Sequence, residues 1–301
     1  MPSCWRRVRI RLRVVSGMGA RLSNRRATSS GARPRGSTRR SPQHGGKKRA
    51  LAARSRRVPC ARRWHLAMAG AMIYVHEVHE ILGGKMAEFG EAVRAEWRPL
   101  VEEGDGARLL WFWQLAHGTG ASYQAVSITA VRDWATWGAL VARGASDPRF
   151  RAWQRRVWTL RREVTAKILL PVPWSPLREV DLAAAPSANQ TETPALYLHD
   201  TGWPFAGKLE DYVEALGTIF YPQTRRTHMI SVAACWTVAP GTGRHHEVVL
   251  LQRIEDWSQF SRLLTRGEPP AEPGGWMEEG LRYRDRWESK LLRCAGWSPR
   301  Q

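Results

Sequence analysis

The sequence predicts a mixed α+β protein built from two copies of one unit. A shift of 123 residues aligns residues 72–176 with residues 195–299 without a gap, and 25 of the 105 aligned positions are identical. Within each copy, stretches of strand type alternate with stretches whose apolar residues recur at helical spacing. Two copies of this size favour a duplicated domain over a solenoid, which stacks a larger number of shorter units.

The identical positions fall in short motifs that stand at equivalent places in the two copies. The matches include Tyr74 and His76 with Tyr197 and His199, Trp113 with Trp236, Asp133 with Asp256, and Trp174 with Trp297. Both copies also close on the same Trp-Ser-Pro motif. Because the motifs keep their spacing over the whole unit, we expect both copies to have one fold.

The first half of each unit predicts a strand, a helix and a hairpin. Residues 72–82 are β-rich and end at a pair of glycines, which predicts a strand. Residues 85–103 predict a helix, because their apolar residues form one helical stripe. Residues 107–116 and 122–131 predict two strands joined by a glycine-rich turn.

The second half predicts two helices and a last strand. Asp133 is a candidate N-cap for the first of these helices. The residues expected on its buried face are Trp134, Trp137, Leu140 and Val141. Residues 147–160 predict the next helix, with Trp153 in the core, and residues 163–170 predict the strand that runs into the Trp-Ser-Pro motif.

This order, βαββαβ with one additional helix, is the ferredoxin-like arrangement. Such a unit covers one face of its sheet with helices and leaves the other face and an edge strand open. We therefore expect the two repeats to pack sheet against sheet as an intramolecular pseudo-dimeric α/β barrel. The expected divisions are a disordered basic tail over residues 1–70, a first repeat over 71–177, a linker over 178–194 and a second repeat over 195–301.

The strong positive charge belongs to the tail. Residues 1–70 contain 20 of the 47 Lys and Arg residues and no Asp or Glu, so the remainder balances 27 basic with 27 acidic residues. The tail is rich in Arg, Ser, Gly and Pro, which predicts disorder. Three interpretations stay open: translated upstream sequence with the true start at Met68 or Met72, an organellar transit peptide, or a nucleic-acid-binding arm.

The composition of the folded part excludes several classes of protein. A neutral body offers no positive surface for a phosphate backbone, so we expect no nucleic-acid binding through it. No apolar run reaches the roughly 18–20 residues of a membrane-spanning helix. Four cysteines without a Cys-x-x-Cys spacing indicate a reduced protein without disulfides. We expect a cytoplasmic location, or a mitochondrial one if the source is eukaryotic and the tail is a transit peptide.

Three motifs of the first copy resemble the NIPSNAP family of the dimeric α/β-barrel group. They are GGKMAEF at 83–89, RDWATW at 132–137 and KILLPVPWSPL at 167–177, and the second copy is similar in the same places. The resemblance implies a barrel fold, and related barrel families include cofactor-free monooxygenases, polyketide cyclases and haem-binding enzymes. The family often has His where Ser127 and Leu250 stand in this chain. An activity that depends on this His would be absent here.

Six aromatic residues are candidates for a ligand site inside the barrel. They are Tyr74, His76, Tyr197, His199, Trp113 and Trp236. Because strand side chains alternate, Tyr74 and His76 share one face of their strand. If that face lines the interior, the two His–Tyr pairs converge on the pseudo-twofold axis, where His can act as an acid, a base or a ligand. The simpler alternative is a hydrogen-bonded His and Tyr that pack in a half-buried strand.

The segment His76-Glu77-Val78-His79-Glu80 superficially resembles a zinc protease motif. That motif needs two His four positions apart on a helix, whereas here the spacing is three on a predicted strand. His76 and His79 should therefore point to opposite faces, and we predict no metal site. The catalytic residues stay unassigned.

These features favour a protein that binds a small, mainly apolar molecule in a barrel cavity. Cofactor-independent turnover of the monooxygenase or cyclase type is left open. The alternative is a non-catalytic structural or protein-interaction module with a filled barrel. No cofactor is predicted, with haem left open, and either a monomeric pseudo-dimer or a homodimer fits the sequence.

Overall fold

The computed structural model describes residues 71–186, 193–265 and 275–301, so the predicted disordered tail lies outside the described residues. The first repeat consists of β1 (Ile73–Ile81), α1 (Met86–Ala92), a π-helical segment (Val93–Trp97), α2 (Arg98–Glu102), β2 (Ala107–Leu115), β3 (Gln124–Val131), α3 (Trp134–Ser146), α4 (Pro148–Trp158) and β4 (Arg161–Pro171). The second repeat consists of β5 (Leu196–Pro204), α5 (Leu209–Ala215), a π-helical segment (Leu216–Phe220), α6 (Tyr221–Thr227), β6 (Ile230–Val238), β7 (Val248–Ile254), α7 (Trp257–Thr265), α8 (Trp276–Gly280) and β8 (Arg284–Cys294). The predicted elements of the first copy are all present.

The eight strands of the described residues form one closed barrel. Their order around the barrel is β1-β3-β2-β8-β5-β7-β6-β4, and neighbouring strands are antiparallel. Two equivalent seams join the repeats: β2 pairs with β8, and β4 pairs with β6. Each repeat therefore satisfies the edge strands of the other, and the predicted intramolecular pseudo-dimeric α/β barrel is confirmed.

Side chains alternate between the barrel interior and the helix-covered outer face. Tyr74 and Trp236 belong to the interior core, which also contains Trp111 and Trp113. On the outer face, α1 and α4 of the first repeat pack on β1 and β2 through a second core. The described part of the predicted linker is not a free segment, because Leu182 is buried against the interior core.

One part of the predicted packing is wrong. Asp133 is the N-cap of α3, and its side chain accepts a hydrogen bond from the backbone N–H of Thr136 at 2.7 Å. However, Trp134 and Val141 are 36% and 54% exposed. Val141 is exposed because it lines an open cleft between α3 and the sheet, whereas Trp134, in the first turn of α3, lies outside this cleft. Trp153 of α4 is buried as expected.

The two Trp-Ser-Pro motifs join the repeats reciprocally. Ser175 Oγ accepts a hydrogen bond from the buried backbone N–H of Cys235 at 2.9 Å, and Ser298 Oγ accepts one from Phe112 N–H at 3.1 Å. Each hydroxyl thus satisfies a backbone donor of the opposite repeat. The ring of Trp297 also stacks on Phe112, with 5.0 Å between ring centroids.

We expect Ser298→Ala to lower the free energy of unfolding by about 1–3 kcal/mol, because it leaves a buried N–H without a partner. The measurement is urea-induced unfolding followed by far-ultraviolet circular dichroism. The matched control is Ser146→Ala, which removes an exposed helical hydroxyl that donates to Ala142 O. Equal unfolding midpoints for the two variants would contradict this account of the motif.

No helix in the described part of the chain has the length and apolar character needed to cross a membrane.

Candidate functional site

The six residues predicted from the sequence meet in the barrel interior. Nε2 of His76 lies 2.8 Å from Nε2 of His199. The rings of Tyr74 and Trp236 are 5.4 Å apart, and those of Trp113 and Tyr197 are 5.5 Å apart. All six side chains are buried. The structure therefore brings the set together across the two repeats, while its assignment to a ligand stays a prediction.

The histidine pair is surrounded by lysines of the neighbouring strands. Lys167 and Lys290 stand in register with His76 and His199, respectively. Burial is the main cause that lowers the pKa of both histidines, and the nearby lysines add to it. The pKa of His76 lies well below its usual value, and that of His199 is about 3. Both rings are therefore neutral at neutral pH, and one N–H donates to the other ring. The two histidines therefore bond to each other, whereas the buried hydroxyl of Tyr74 has no hydrogen-bond partner in the described structure.

A cavity of about 580 Å³ lies on the other face of β1, between the sheet and the helices of the first repeat. We call it the outer cleft. Its described lining includes none of the six predicted residues. The apolar walls are formed by Val75, Val93, Trp97, Val101, Val131, Trp137, Leu140, Val141, Phe150 and Trp153. This cavity therefore lies between a sheet and its helices, whereas the sequence predicts one between the two sheets.

Four polar side chains form a hydrogen-bonded row on the strand side of the outer cleft. Arg161 Nη1 lies 2.8 Å from Nδ1 of His79, and Nε2 of His79 lies 3.3 Å from Ser127 Oγ. Ser127 Oγ in turn donates to Glu77 Oε2 at 3.4 Å. β1 places Glu77 and His79 two residues apart on one face, and β3 and β4 place Ser127 and Arg161 beside them.

The guanidinium of Arg161 fixes the direction of every hydrogen bond in this row. Arginine has donors and no acceptor, so Nδ1 of His79 must accept and Nε2 must carry the proton. Ser127 Oγ then accepts from His79 and gives its own proton to Glu77. Both ring nitrogens of His79 are engaged, which leaves no lone pair for a haem iron or another metal.

Burial shifts the proton affinities of the row. It lowers the pKa of the His79 imidazole to about 3, with Arg161 as the second cause, so this ring stays neutral. Burial also raises the pKa of Glu77 above the usual carboxyl value, against the opposing effects of Arg161 and Ser127. The outer cleft therefore combines apolar walls with a carboxyl group whose charged form is poorly stabilised.

The counterpart of the polar row has different contacts in the second repeat. His79 is replaced by Gly202, and a Cβ there would lie 2.7 Å from the hydroxyl of Tyr212. That hydroxyl accepts a hydrogen bond from Arg284 Nε at 2.9 Å. Asp200, the counterpart of Glu77, accepts hydrogen bonds from Gln252 Nε2 at 2.7 Å and from Ser289 Oγ. The hydroxyl of Tyr212 thus occupies the space that a side chain at position 202 would need, where the first repeat has the side chain of His79.

Sequence reasoning missed Glu77, His79 and Arg161 as site residues. Ser127 was noted only as a departure from the family pattern. The sequence did contain a signal, because polar residues stand on one face of two apolar strands. Two of them, His79 and Ser127, are replaced by Gly202 and Leu250 in the second copy. Within the described residues, no group of three or more His, Cys, Asp or Glu side chains is arranged to hold a metal ion.

Comparisons with known proteins agree with this fold. Residues 74–176 match the NIPSNAP family model. A NIPSNAP family protein from Agrobacterium tumefaciens is 26% identical, with a TM-score of 0.30, and the match covers 36% of this chain and 99% of that protein. A search of curated proteins finds no match.

Two solved structures match across both repeats. A candidate monooxygenase from Fusobacterium nucleatum has a TM-score of 0.52 at 7% identity, over 75% of this chain and 94% of its own. An anthrone oxidase-like protein has a TM-score of 0.51 at 8% identity, over 75% of this chain and 92% of its own. At this identity the likeness shows the fold alone. The resemblance noted in the sequence is confirmed for the first repeat: residues 74–176 are a NIPSNAP domain, set in a chain that closes a dimeric α/β barrel by itself.

Proposed function

We propose that the outer cleft of the first repeat binds a small, mainly apolar molecule with one polar group. The observation that carries this proposal is a mainly apolar cavity of about 580 Å³ with a hydrogen-bonded polar row on its strand side. Ligand sites in proteins commonly have this size and this combination of apolar walls and few polar groups. The polar group of the ligand would face Glu77 and Arg161.

The packing of α3 supports the proposal. Trp137 and Leu140 point toward the sheet and remain only half-buried, because they line the cleft. A ligand that covers such surface gains roughly 25 cal/mol for each Å² removed from water.

The first test fills the cleft from α3. Gly144 lines it, and a Cβ there would meet only Phe150 Cδ1, at 4.0 Å. Gly144→Leu should therefore project into the cavity while it raises helix propensity. We expect it to weaken binding of 2-naphthol, measured by isothermal titration calorimetry, by about tenfold or more, which corresponds to about 1.4 kcal/mol.

Gly138→Leu is the matched control, because Gly138 lies on the same helix, is exposed and has no atom within 4 Å of its added Cβ. It should bind 2-naphthol like the unmodified protein. Binding that is unchanged in Gly144→Leu, or absent in the unmodified protein, would contradict a ligand site in the outer cleft.

The second candidate function is the non-catalytic interaction module. One observation favours it: Trp111, Trp113 and Trp236 pack the barrel interior, as a filled barrel requires. It predicts no 2-naphthol binding at all. The fold neighbours are too distant, at 7% and 8% identity, to transfer an oxidase or monooxygenase activity to this chain.

A further inference from the structure

The outer cleft holds one group that can take up a proton, and this points to a reaction. We propose that the carboxylate of Glu77 abstracts a proton from the bound molecule. The substrate class is an apolar compound with a C–H bond made acidic by an adjoining carbonyl group. This inference rests on the proposed ligand site and adds a chemical role to it.

The argument begins with the hydrogen-bonded row. His79 cannot act as the base, because Nδ1 accepts from Arg161 and Nε2 already carries a proton. Ser127 has one proton, which it donates to Glu77. Among the described residues that line the cleft, Glu77 is the single carboxylate. The row therefore ends on one acceptor, which also faces the cavity.

The surroundings of Glu77 leave its carboxylate reactive. Its hydrogen bond from Ser127 is long, at 3.4 Å, and the wall opposite is mainly apolar. The charged or polar groups that face the same cleft are His79 from β1, Ser127 and Thr129 from β3, Arg161 from β4, and Arg151 and Gln154 from α4. A carboxylate that receives few donors in an apolar site is a stronger base than one in water.

The equivalent carboxylate of the second repeat, that of Asp200, has more hydrogen-bond donors than Glu77. Asp200 is fixed by two donors, Gln252 and Ser289. The counterparts of these donors in the first repeat are Thr129 and Ala166, and among the described residues the carboxylate of Glu77 accepts a hydrogen bond from Ser127 instead. Glu77 thus has one side-chain donor where Asp200 has two.

The proton abstraction balances without a cofactor. Glu77 forms a bond to the proton and becomes a neutral acid, while the electron pair of the C–H bond moves to the carbonyl oxygen and gives an enolate. Arg161 supplies positive charge close to the site where this negative charge develops. Glu77 then returns the proton to another atom of the same molecule or to water.

The experiment uses 5-nitrobenzisoxazole, an apolar bicyclic compound whose ring opens when a base removes its one acidic C–H proton. The electron pair of that bond breaks the N–O bond and releases a coloured phenolate, so the rate is read by absorbance. We expect the full chain to accelerate this reaction over acetate at equal concentration. Glu77→Gln should lower that rate about a hundredfold, while its far-ultraviolet circular dichroism spectrum matches that of the unmodified protein.

Two further measurements complete the test. Glu163→Gln, an exposed glutamate on the neighbouring strand β4, should leave the rate unchanged. The rate should fall on acidification at a higher pH than an exposed carboxylate would give, since burial raises the pKa of Glu77. If 2-naphthol binds but Glu77→Gln keeps the full rate, or the chain does not exceed acetate, the inference fails and the ligand site stands. If 2-naphthol does not bind, both fail.

Discussion

Trp236→Ala is expected to lower the free energy of unfolding by about 3–5 kcal/mol, the usual cost of truncating a buried tryptophan. The side chain is fully buried in the barrel interior, with its ring 5.4 Å from that of Tyr74. Its removal leaves a void at a place where the two repeats share one core. The measurement is urea-induced unfolding followed by far-ultraviolet circular dichroism.

Trp158→Ala is the matched control for this prediction, because Trp158 on α4 is 68% exposed. The same chemical change there should alter the free energy of unfolding by less than about 0.5 kcal/mol. If the two variants unfold at the same urea concentration, the interior is not packed as described and the filled barrel is wrong.

Glu247→Leu is expected to lower the free energy of unfolding by about 3–5 kcal/mol, because it leaves the ammonium group of Lys167 in the barrel without its counter-ion. The two side chains form an ion pair and are 13% and 6% exposed for Lys167 and Glu247. Glu247→Gln should cost less, since Gln124 at the equivalent place bonds Lys290 at 3.1 Å. Urea-induced unfolding of both variants gives the comparison.

The pH dependence of Glu247→Leu has a definite sign. Burial lowers the pKa of Lys167 below its usual value, so the unfolded chain binds more protons than the folded one at this site. Stability therefore rises with pH between the folded and unfolded pKa values of the lysine. We expect the loss caused by Glu247→Leu to shrink as the pH is raised toward 10. A loss that does not depend on pH would contradict a charged, unpaired Lys167.

The architecture could be predicted from the sequence because the duplication repeats local signals. Asp133 and Asp256 open helices at the same place in each copy, and the shared hairpin turns fix the strand order. Two copies with one open sheet face each then favour a closed barrel. The π-helical segments at Val93–Trp97 and Leu216–Phe220 were not predicted, because they depend on the register of backbone hydrogen bonds rather than on side-chain spacing.

The candidate site was harder to predict because it depends on packing between elements. The alternation along β1 correctly placed His76 and His79 on opposite faces, and the interior residues do converge. The alternation does not tell which face adjoins open space. That depends on how closely α3 approaches the sheet.

The most direct test of a ligand site in the outer cleft is diffraction from crystals of the full chain soaked with 2-bromonaphthalene. The anomalous signal of bromine locates the probe without prior assumptions about its position. We predict a peak between β1 and helices α3 and α4 of the first repeat, within contact distance of Trp137 and Phe150. A peak inside the barrel among Tyr74, His76, Tyr197 and His199, or none in the cleft, would contradict the account.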